Sequence, residues 1–229
     1  MRNGCDCHGK IGVLFDMDGV IVLSNPAHLA AWQAFGRERL GLTITREMFF
    51  ETISGRKNEE ALAELFPGRF SPDELARVSA EKEALYRGRF GPTLQPVAGV
   101  LRLIAELRDC EDVSIALATS GPPENVEFMF GRFGIEEAFQ AVVNASHVTK
   151  AKPDPAVYLL AAEKLGIAPR RCVVLEDAYA GVQAAKRAGM RCLAVSTSEP
   201  EERLRRAGAD CVYPDFRRVG LSDLVTLLR

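Results

Sequence analysis

The segment "VLFDMDGVIV" places two aspartates, Asp16 and Asp18, two positions apart at the end of an apolar run. Such a run is typical of a buried strand, and a carboxylate that is buried without a partner is costly. The two acids therefore need a metal ion, a proton or hydrogen-bond donors. The rest of the chain should supply these partners.

Polar residues also follow three later apolar runs. They are Thr119, Ser120 and Gly121 after "VSIALA", Lys152 after "AVVN" and a connecting loop, and Glu176 and Asp177 after "CVVL". Each fragment alone is typical of a turn or a helix start. In an open α/β sheet, however, ligands bind outside the carboxyl ends of the strands. If these runs form one sheet, the polar groups converge on one crevice.

The apolar runs are short, rich in β-branched residues and without polar alternation, which predicts strands covered on both faces. These runs are residues 11–15, 113–118, 141–144, 172–176, 192–196 and 211–213. Helices are predicted at residues 97–108, 123–133, 155–165, 178–188 and 200–207. Because strand and helix alternate in the later part of the chain, the sequence predicts a doubly wound, parallel, Rossmann-like α/β sheet.

The interval after the first strand breaks this alternation, because it is rich in Ala, Glu, Arg and Leu and contains no convincing strand. Helices are predicted there at residues 26–40, 46–53, 58–65 and 71–89, the last opened by a capping box of Ser71 and Glu74. The predicted organisation is an α/β core domain of residues 1–24 and 93–229, with a helical cap domain of residues 25–92 inserted after the first strand.

Composition limits the partners. The 229 residues are 47% hydrophobic, which suits one large domain or a core with an inserted lobe. A net charge of −2 gives no sign of a nucleic-acid partner. No apolar stretch reaches the roughly 20 residues that cross a bilayer, and the first ten residues do not resemble a signal peptide. We therefore expect a cytoplasmic protein without a membrane partner.

Cysteine usage agrees with a reducing compartment, because three of the six cysteines lie at or beside apolar runs. Cys5, Cys7 and His8 form a small cluster with zinc-ligand chemistry, but no second pair follows at finger-like spacing. A loose tail without a metal is the expectation.

The order Asp-Met-Asp-Gly-Val, Thr119, Lys152 and Glu176-Asp177 resembles the four motifs of the haloacid dehalogenase-like (HAD) hydrolase superfamily. The chain is most similar to its β-phosphoglucomutase-like and sugar-phosphate phosphatase branch, whose small helical cap follows the first strand. The resemblance covers residues 11–228, including "KPDPAVYLLAAEKLGI" and "VVLEDAYAGVQAAKRAGM". It implies a phosphoric monoester hydrolase, a phosphatase acting on a small phosphorylated metabolite such as a sugar phosphate, with a sugar phosphomutase as the alternative.

The charge of a phosphate monoester explains why such a site needs cations. At 4 Å and an effective dielectric constant of about 20, each unit of repulsion from an attacking carboxylate costs about 4 kcal/mol. The resemblance implies Mg²⁺ as the cofactor. Its implied ligands are Asp16, the backbone carbonyl of Asp18, and Asp177, with Glu176 as a direct or outer contributor, while Lys152 supplies a second cation to the phosphoryl oxygens.

The resemblance also assigns catalytic roles. Asp16 is the expected nucleophile, which forms an aspartyl-phosphate. Asp18 is the expected acid and base, which protonates the leaving oxygen and then deprotonates the incoming water or hydroxyl. Thr119 and the backbone N–H groups of Ser120 and Gly121 are expected to donate hydrogen bonds to the phosphoryl group.

Candidate substrate contacts in the cap are His28 in "PAHLAAW" and, in "SGRKNEE", Gly55, Arg56 and Asn58. The sequence is equally compatible with a structural role for His28 between helices and a solvated role for Arg56. Trp32 is expected to lie in the core of the cap.

The chain departs from the family pattern near the cap. Relatives commonly have "DGVIVDSEP" where this chain has Leu23 for Asp and Asn25 for Glu. Ser54 and Asn58 stand where known sugar phosphomutases of the branch place Lys and Arg for a second phosphate. This second difference favours a phosphatase over a mutase.

A phospho-receiver signalling domain is the alternative from another class, because it also gathers aspartates, Thr and Lys around magnesium on a doubly wound sheet. Receiver domains, however, carry the phosphoacceptor after a later strand and have no helical insert. A nicotinamide enzyme is disfavoured because no G-x-G-x-x-G follows the first strand. We expect a monomer or a weak homodimer.

Overall fold

The computed structural model describes residues 9–54 and 56–229. Cys5, Cys7 and His8 of the candidate zinc cluster, and Gly55 of the candidate substrate contacts, lie outside the described residues. The described chain forms two compact units, one of residues 9–22 and 96–229 and the other of residues 23–95. None of the described helices combines the length and the apolar character that a membrane span requires.

The first unit is built on a parallel sheet whose six strands, in the described part of the chain, follow the order β3-β2-β1-β4-β5-β6. The strands are β1 (Ile11–Phe15), β2 (Val113–Ala118), β3 (Ala141–Val143), β4 (Cys172–Glu176), β5 (Arg191–Val195) and β6 (Cys211–Tyr213). Every residue of β1 and β4 is buried, which explains why their sequences are apolar without alternation, apart from Glu176 at the end of β4. The predicted α/β fold is confirmed.

The helices, in chain order, are α1 (Asn25–Phe35), α2 (Arg46–Met48), α3 (Asn58–Leu65), α4 (Pro72–Leu85), α5 (Val100–Arg108), α6 (Pro123–Phe133), α7 (Ala156–Leu165), α8 (Tyr179–Arg187), α9 (Glu201–Ala207) and α10 (Leu221–Leu227). Helices α7, α8 and α9 pack on one face of the sheet, where Val157 and Leu204 join the cluster that contains Leu14 of β1. Because side chains alternate along a strand, Val13 and Val173 point to the opposite face, and both are fully buried.

The second unit, residues 23–95, has its own apolar core. This core contains Trp32, Phe35, Leu40, Ile44, Phe49, Ile53, Ala61, Leu62 and Val78. Trp32 is 1% exposed, so the expectation that it belongs to the core of this unit is confirmed.

The predicted helical segments 26–40 and 71–89 end within one residue of the observed ones, but their last turns are π-helical. Helices α1 and α4 each end in a wider π-helical turn, at Gly36–Leu40 and Tyr86–Phe90. The predicted capping box of α4 is confirmed, because Glu74 N–H donates to Ser71 Oγ and Ser71 N–H donates to Glu74 Oε2 at 2.8 Å.

The chain leaves and re-enters the first unit through two adjacent segments. Val22 pairs with Pro96 in an antiparallel bridge, and the Leu23 N–H donates to the Gln95 carbonyl at 2.9 Å. The two ends of the inserted segment therefore lie side by side.

The order in which the chain adds strands to the parallel sheet reverses between β1 and β4. From β1 the chain continues to β2 and β3 on one side, and then to β4, β5 and β6 on the other. At such a switch point a crevice opens beyond the carboxyl ends of the strands. Asp16 follows β1 and Glu176 ends β4 at this place.

Candidate active site

Asp16 continues the line of β1, because its N–H donates to the Leu175 carbonyl of β4 at 3.0 Å. Its carboxylate is buried, whereas Asp18, two residues later, is half-buried. Directly after Asp18 the chain turns at Gly19, whose φ is +75°. A Cβ at Gly19 would overlap Asp177 Oδ2, so the missing side chain lets this loop lie against the acid that follows β4.

Lys152 links the loops at the strand ends. Its Nζ donates to Asp16 Oδ1 at 2.6 Å and to Glu176 Oε1 at 2.7 Å, and it lies 3.4 Å from the Ala118 carbonyl of β2. The Lys152 side chain is only 6% exposed. The structure thus brings together Asp16, Lys152 and Glu176, which are far apart in the sequence.

Glu176 is held by donors on both of its oxygens. Oε1 accepts from Lys152 and from the hydroxyl of Tyr158 at 2.7 Å, and Oε2 accepts from the N–H groups of Asp177 and Ala178 at 2.8 and 3.0 Å. Sequence reasoning missed Tyr158. Its signal is a hydroxyl-bearing residue inside the apolar "AVYLLAA" of α7, directly after the Lys152 loop.

Asp177 completes a group of buried carboxylates. Ligand oxygens of Asp16, Glu176 and Asp177 all lie within 4.8 Å of one another, so these residues form a candidate metal centre. The side chain of Asp18 is not a member of this group.

The loop after β5 also reaches the acids, and sequence reasoning missed it. The Ser198 hydroxyl donates to Asp177 Oδ2, and the Thr197 hydroxyl donates to the Gly19 carbonyl at 2.5 Å. The hydroxyl run "STSEP" follows a strand end, as the other site residues do, and this rule alone could have found it.

The loop after β2 carries Thr119, which is buried, followed by Ser120 and Gly121, which are half-buried. Thr119 N–H donates to the Val143 carbonyl at 2.9 Å, and Thr119 Oγ1 accepts from Gly121 N–H at 3.0 Å. The predicted phosphate donor at Gly121 is therefore already used within the loop, and a bound phosphate would have to replace this hydrogen bond.

The buried acids do not share one ionisation state. Burial raises the pKa of Asp16 to about 7, against the lowering effect of Lys152. Burial and the repulsion of Glu176 and Asp16 raise the pKa of Asp177 well above its ordinary value. Burial alone would also raise the pKa of Glu176, but the Lys152 ammonium and the hydrogen bonds to Glu176 hold it below its ordinary value.

Lys152 stays charged in this setting. Burial would lower its pKa, but the carboxylates of Asp16 and Glu176 outweigh burial and raise the pKa above its ordinary value. Among the described residues of this cluster, one ammonium thus faces three carboxylates. The excess negative charge and the oxygen-only donor set fit a hard divalent cation.

The candidate substrate residues of the second unit lie in an internal network. His28 stacks on Tyr86 with ring centroids 3.8 Å apart, and His28 Nδ1 lies 2.9 Å from Lys82 Nζ. Glu83 Oε1 accepts from Lys82 Nζ at 2.8 Å and from the Asn58 amide at 2.6 Å. Lys82 and Glu83 are buried. Sequence reasoning missed this pair, because nothing in the helical pattern marks a charged residue as buried.

Arg56 makes local contacts within the same unit. Its guanidinium pairs with Glu64 at 2.5 Å and donates to the Thr52 carbonyl at 3.2 Å. The Arg56 side chain is 36% exposed. These contacts agree with the solvated surface role that the sequence left open for this residue.

Comparison with known proteins identifies the family. The haloacid dehalogenase-like hydrolase family matches residues 12–189, and the chain belongs to this family. The resemblance inferred from the four motifs is confirmed. Membership of a hydrolase family excludes the receiver-domain alternative.

The chain is 28% identical to 5-amino-6-(5-phospho-D-ribitylamino)uracil phosphatase, chloroplastic, of Arabidopsis thaliana over 99% of its length, and it spans 59% of that protein. It is 32% identical to β-phosphoglucomutase of Bacillus subtilis, with 87% of each chain covered. The crystal structure of CbbY from Rhodobacter sphaeroides in complex with phosphate has a TM-score of 0.83 and 28% identity, and covers 94% of this chain and 99% of that one.

Proposed function

We propose that this protein is a magnesium-dependent phosphatase that hydrolyses a small phosphorylated metabolite, a sugar-phosphate-like monoester, through an aspartyl-phosphate on Asp16. The observation that carries the proposal is the buried contact of 2.6 Å between Asp16 Oδ1 and the Lys152 ammonium, beside Glu176 and Asp177. This arrangement places a carboxylate nucleophile next to a fixed cation. A relative named as a phosphatase and a similar structure with bound phosphate support it.

We propose that Asp16, Asp177 and the backbone carbonyl of Asp18 hold the Mg²⁺ ion, with Glu176 as an outer contributor. The clustered carboxylate oxygens support this assignment, and the raised pKa of Asp16 and Asp177, caused first by burial and then by the neighbouring acids, agrees with it. When bound, Mg²⁺ would offset the charge of the carboxylates and of the phosphoryl oxygens.

The reaction follows from the roles of four side chains. Asp16 attacks the phosphorus atom, so that a bond forms to its carboxylate oxygen and the bond to the leaving oxygen breaks, while Asp18 gives that oxygen a proton. Water then attacks the phosphorus atom, Asp18 takes a proton from the water, and inorganic phosphate leaves with Asp16 restored. Lys152 and the Thr119 hydroxyl stabilise the charge on the phosphoryl oxygens throughout.

Hydrolysis is favoured over phosphoryl transfer to a second sugar. A phosphomutase needs cations for a second phosphate, but the Asn58 amide and the Lys82 ammonium both donate to the Glu83 carboxylate. Their donor capacity is directed to an internal acid. A β-phosphoglucomutase-type activity is the second candidate, because the chain resembles the Bacillus enzyme over 87% of both lengths.

We also propose that residues 23–95 serve as the substrate-reading cap, with His28, Gly55, Arg56 and Asn58 as candidate contacts, and that the protein acts in the cytoplasm. The free thiols of the described cysteines, Cys110, Cys172, Cys192 and Cys211, support a reducing compartment.

A panel of phosphorylated metabolites assayed with Mg²⁺ tests the function. Wild type should release phosphate from at least one sugar-phosphate-like monoester, chelation should abolish the activity, and Asp16→Asn should be inactive. Asp109→Asn, which neutralises an exposed acid of the first unit, is the matched control and should retain activity. Full activity of Asp16→Asn would refute the nucleophile assignment, and isomerised product from added sugar bisphosphate would favour the mutase.

A further inference from the structure

Glu176 has no spare acceptor capacity in this structure. An ionised carboxylate offers about four lone-pair positions. Lys152, Tyr158, and the N–H groups of Asp177 and Ala178 donate to Glu176 at distances between 2.7 and 3.0 Å. The orientation of this carboxylate is therefore fixed by all four donors together.

Two of these donors share one oxygen. Glu176 Oε1 accepts from both the Lys152 ammonium and the Tyr158 hydroxyl. The Tyr158 ring also lies below the ammonium, with its centroid 4.7 Å from Lys152 Nζ. Tyr158 therefore touches both members of the Lys152–Glu176 pair, one through its hydroxyl and one through its ring.

The neighbouring residues hold the Glu176 carboxylate in this position. A Cβ at Gly181 would overlap Glu176 Oε1, so the glycine of α8 provides the space for the carboxylate. Tyr158 is fully buried among the apolar residues of α7 and the sheet. In that setting a hydroxyl without a partner would be costly, so its hydrogen bond to Glu176 is maintained.

We propose that Tyr158 is a positioning residue: its hydroxyl fixes the Glu176 carboxylate, and Glu176 in turn holds the Lys152 ammonium beside Asp16. The catalytic consequence rests on the proposed phosphatase function, whereas the placement of Lys152 does not. Tyr158 contacts Glu176 through its hydroxyl and Lys152 through its ring, so its effect on catalysis passes through these two residues.

The test uses Tyr158→Phe, which removes the hydroxyl and keeps the ring. Tyr213→Phe is the matched control, because Tyr213 lies on β6 and its hydroxyl is 3.5 Å from Asp223 of α10. The first measurement, by ¹⁵N NMR of the free protein, is the exchange of the Lys152 Nζ protons with water, with the signal assigned by its loss in Lys152→Arg. The second is kcat and KM for the best monoester.

We expect the Lys152 protons of Tyr158→Phe to exchange about 10-fold faster than in wild type, and kcat to fall about 10- to 100-fold with a smaller change in KM. Tyr213→Phe should match wild type in both measurements. In a Glu176→Gln background, Tyr158→Phe should have little further effect on kcat, because the residue acts through Glu176. A purely structural role would lower the unfolding midpoint without this dependence on Glu176.

Unchanged Lys152 exchange in a folded Tyr158→Phe protein overturns the proposal. If Tyr158→Phe does not fold, Glu176→Gln alone decides, because it must then show the faster Lys152 exchange. If wild type hydrolyses no monoester, the proposed function fails, while the exchange measurement still decides whether Tyr158 positions Lys152.

Discussion

The raised pKa of Asp16 makes the stability of the metal-free protein depend on pH, and Asp16→Asn should remove the part of this dependence that Asp16 contributes. The folded protein keeps the Asp16 proton up to about pH 7, whereas the unfolded chain loses it near 3.8. Between these values the folded state binds more protons, so the free energy of unfolding falls as the pH rises. The fall in the free energy of unfolding that Asp16 causes ends above about pH 7, where the folded protein has also lost this proton.

The expected magnitude follows from the shift. A change from 3.8 to about 7 is about 3.2 pH units, and at about 1.36 kcal/mol per unit the ionised carboxylate costs the folded state about 4 kcal/mol. Asparagine carries no charge to desolvate and leaves Lys152 paired with Glu176 at 2.7 Å. Asp16→Asn should therefore be several kcal/mol more stable than wild type at pH 8, and the difference should vanish near pH 4.

Urea denaturation in the presence of a chelator, at a series of pH values, measures this difference. Asp109→Asn, at an exposed site, serves as the control and should follow the wild-type pH profile. If Asp16→Asn is less stable than wild type at pH 8, the Lys152 contact outweighs the burial of the charge, and the reasoning is wrong.

Three further changes test the same cluster. Lys152→Met leaves the carboxylates without their cation and should lower the free energy of unfolding at neutral pH by about 3–5 kcal/mol in urea denaturation. Gly181→Ala would place a methyl group against Glu176 Oε1 and should lower kcat. The control is Gly131→Ala in α6, where nothing lies within 4 Å of the new Cβ. This variant should stabilise the protein by about 0.5–1 kcal/mol. Equal kcat in the two glycine variants would contradict the crowding at Glu176. Mg²⁺ at about 100 times its dissociation constant should stabilise wild type by about 2.7 kcal/mol in thermal unfolding; Asp177→Asn should lose this gain, and an equal gain in both proteins would remove Asp177 from the metal centre.

The sheet was predictable because its signal is local. Strands that are buried on both faces are mostly apolar, so β1, β2 and β4 have the bounds predicted from the sequence. The edge strand β6 is half-buried, but its bounds also match the prediction. Strand β5 begins one residue earlier, at Arg191, and α10 was not predicted. Arg191 is exposed, so its type gives no sign that the backbone already pairs with β4.

The acids and Lys152 were also predictable, because parallel strands deliver their carboxyl ends to one edge of the sheet. The missed residues depend on contacts that no short segment encodes. Tyr158 reaches Glu176 from the buried face of a helix, and Lys82 reaches His28 across 54 positions of sequence. Their types alone do not distinguish a buried hydrogen-bond partner from an ordinary helix residue.

Because Val22 pairs with Pro96 in an antiparallel bridge, the sheet can accept an insertion at this point whatever the length of the inserted segment. The two attachment points are already adjacent, so the closure entropy is set locally, and doubling the intervening chain adds only about 0.6 kcal/mol. Residues 23–95 can thus be replaced by the corresponding segment of a relative. A chimera joined at the Val22–Pro96 pair would keep the strand-end residues Asp16, Lys152, Glu176 and Asp177 in place.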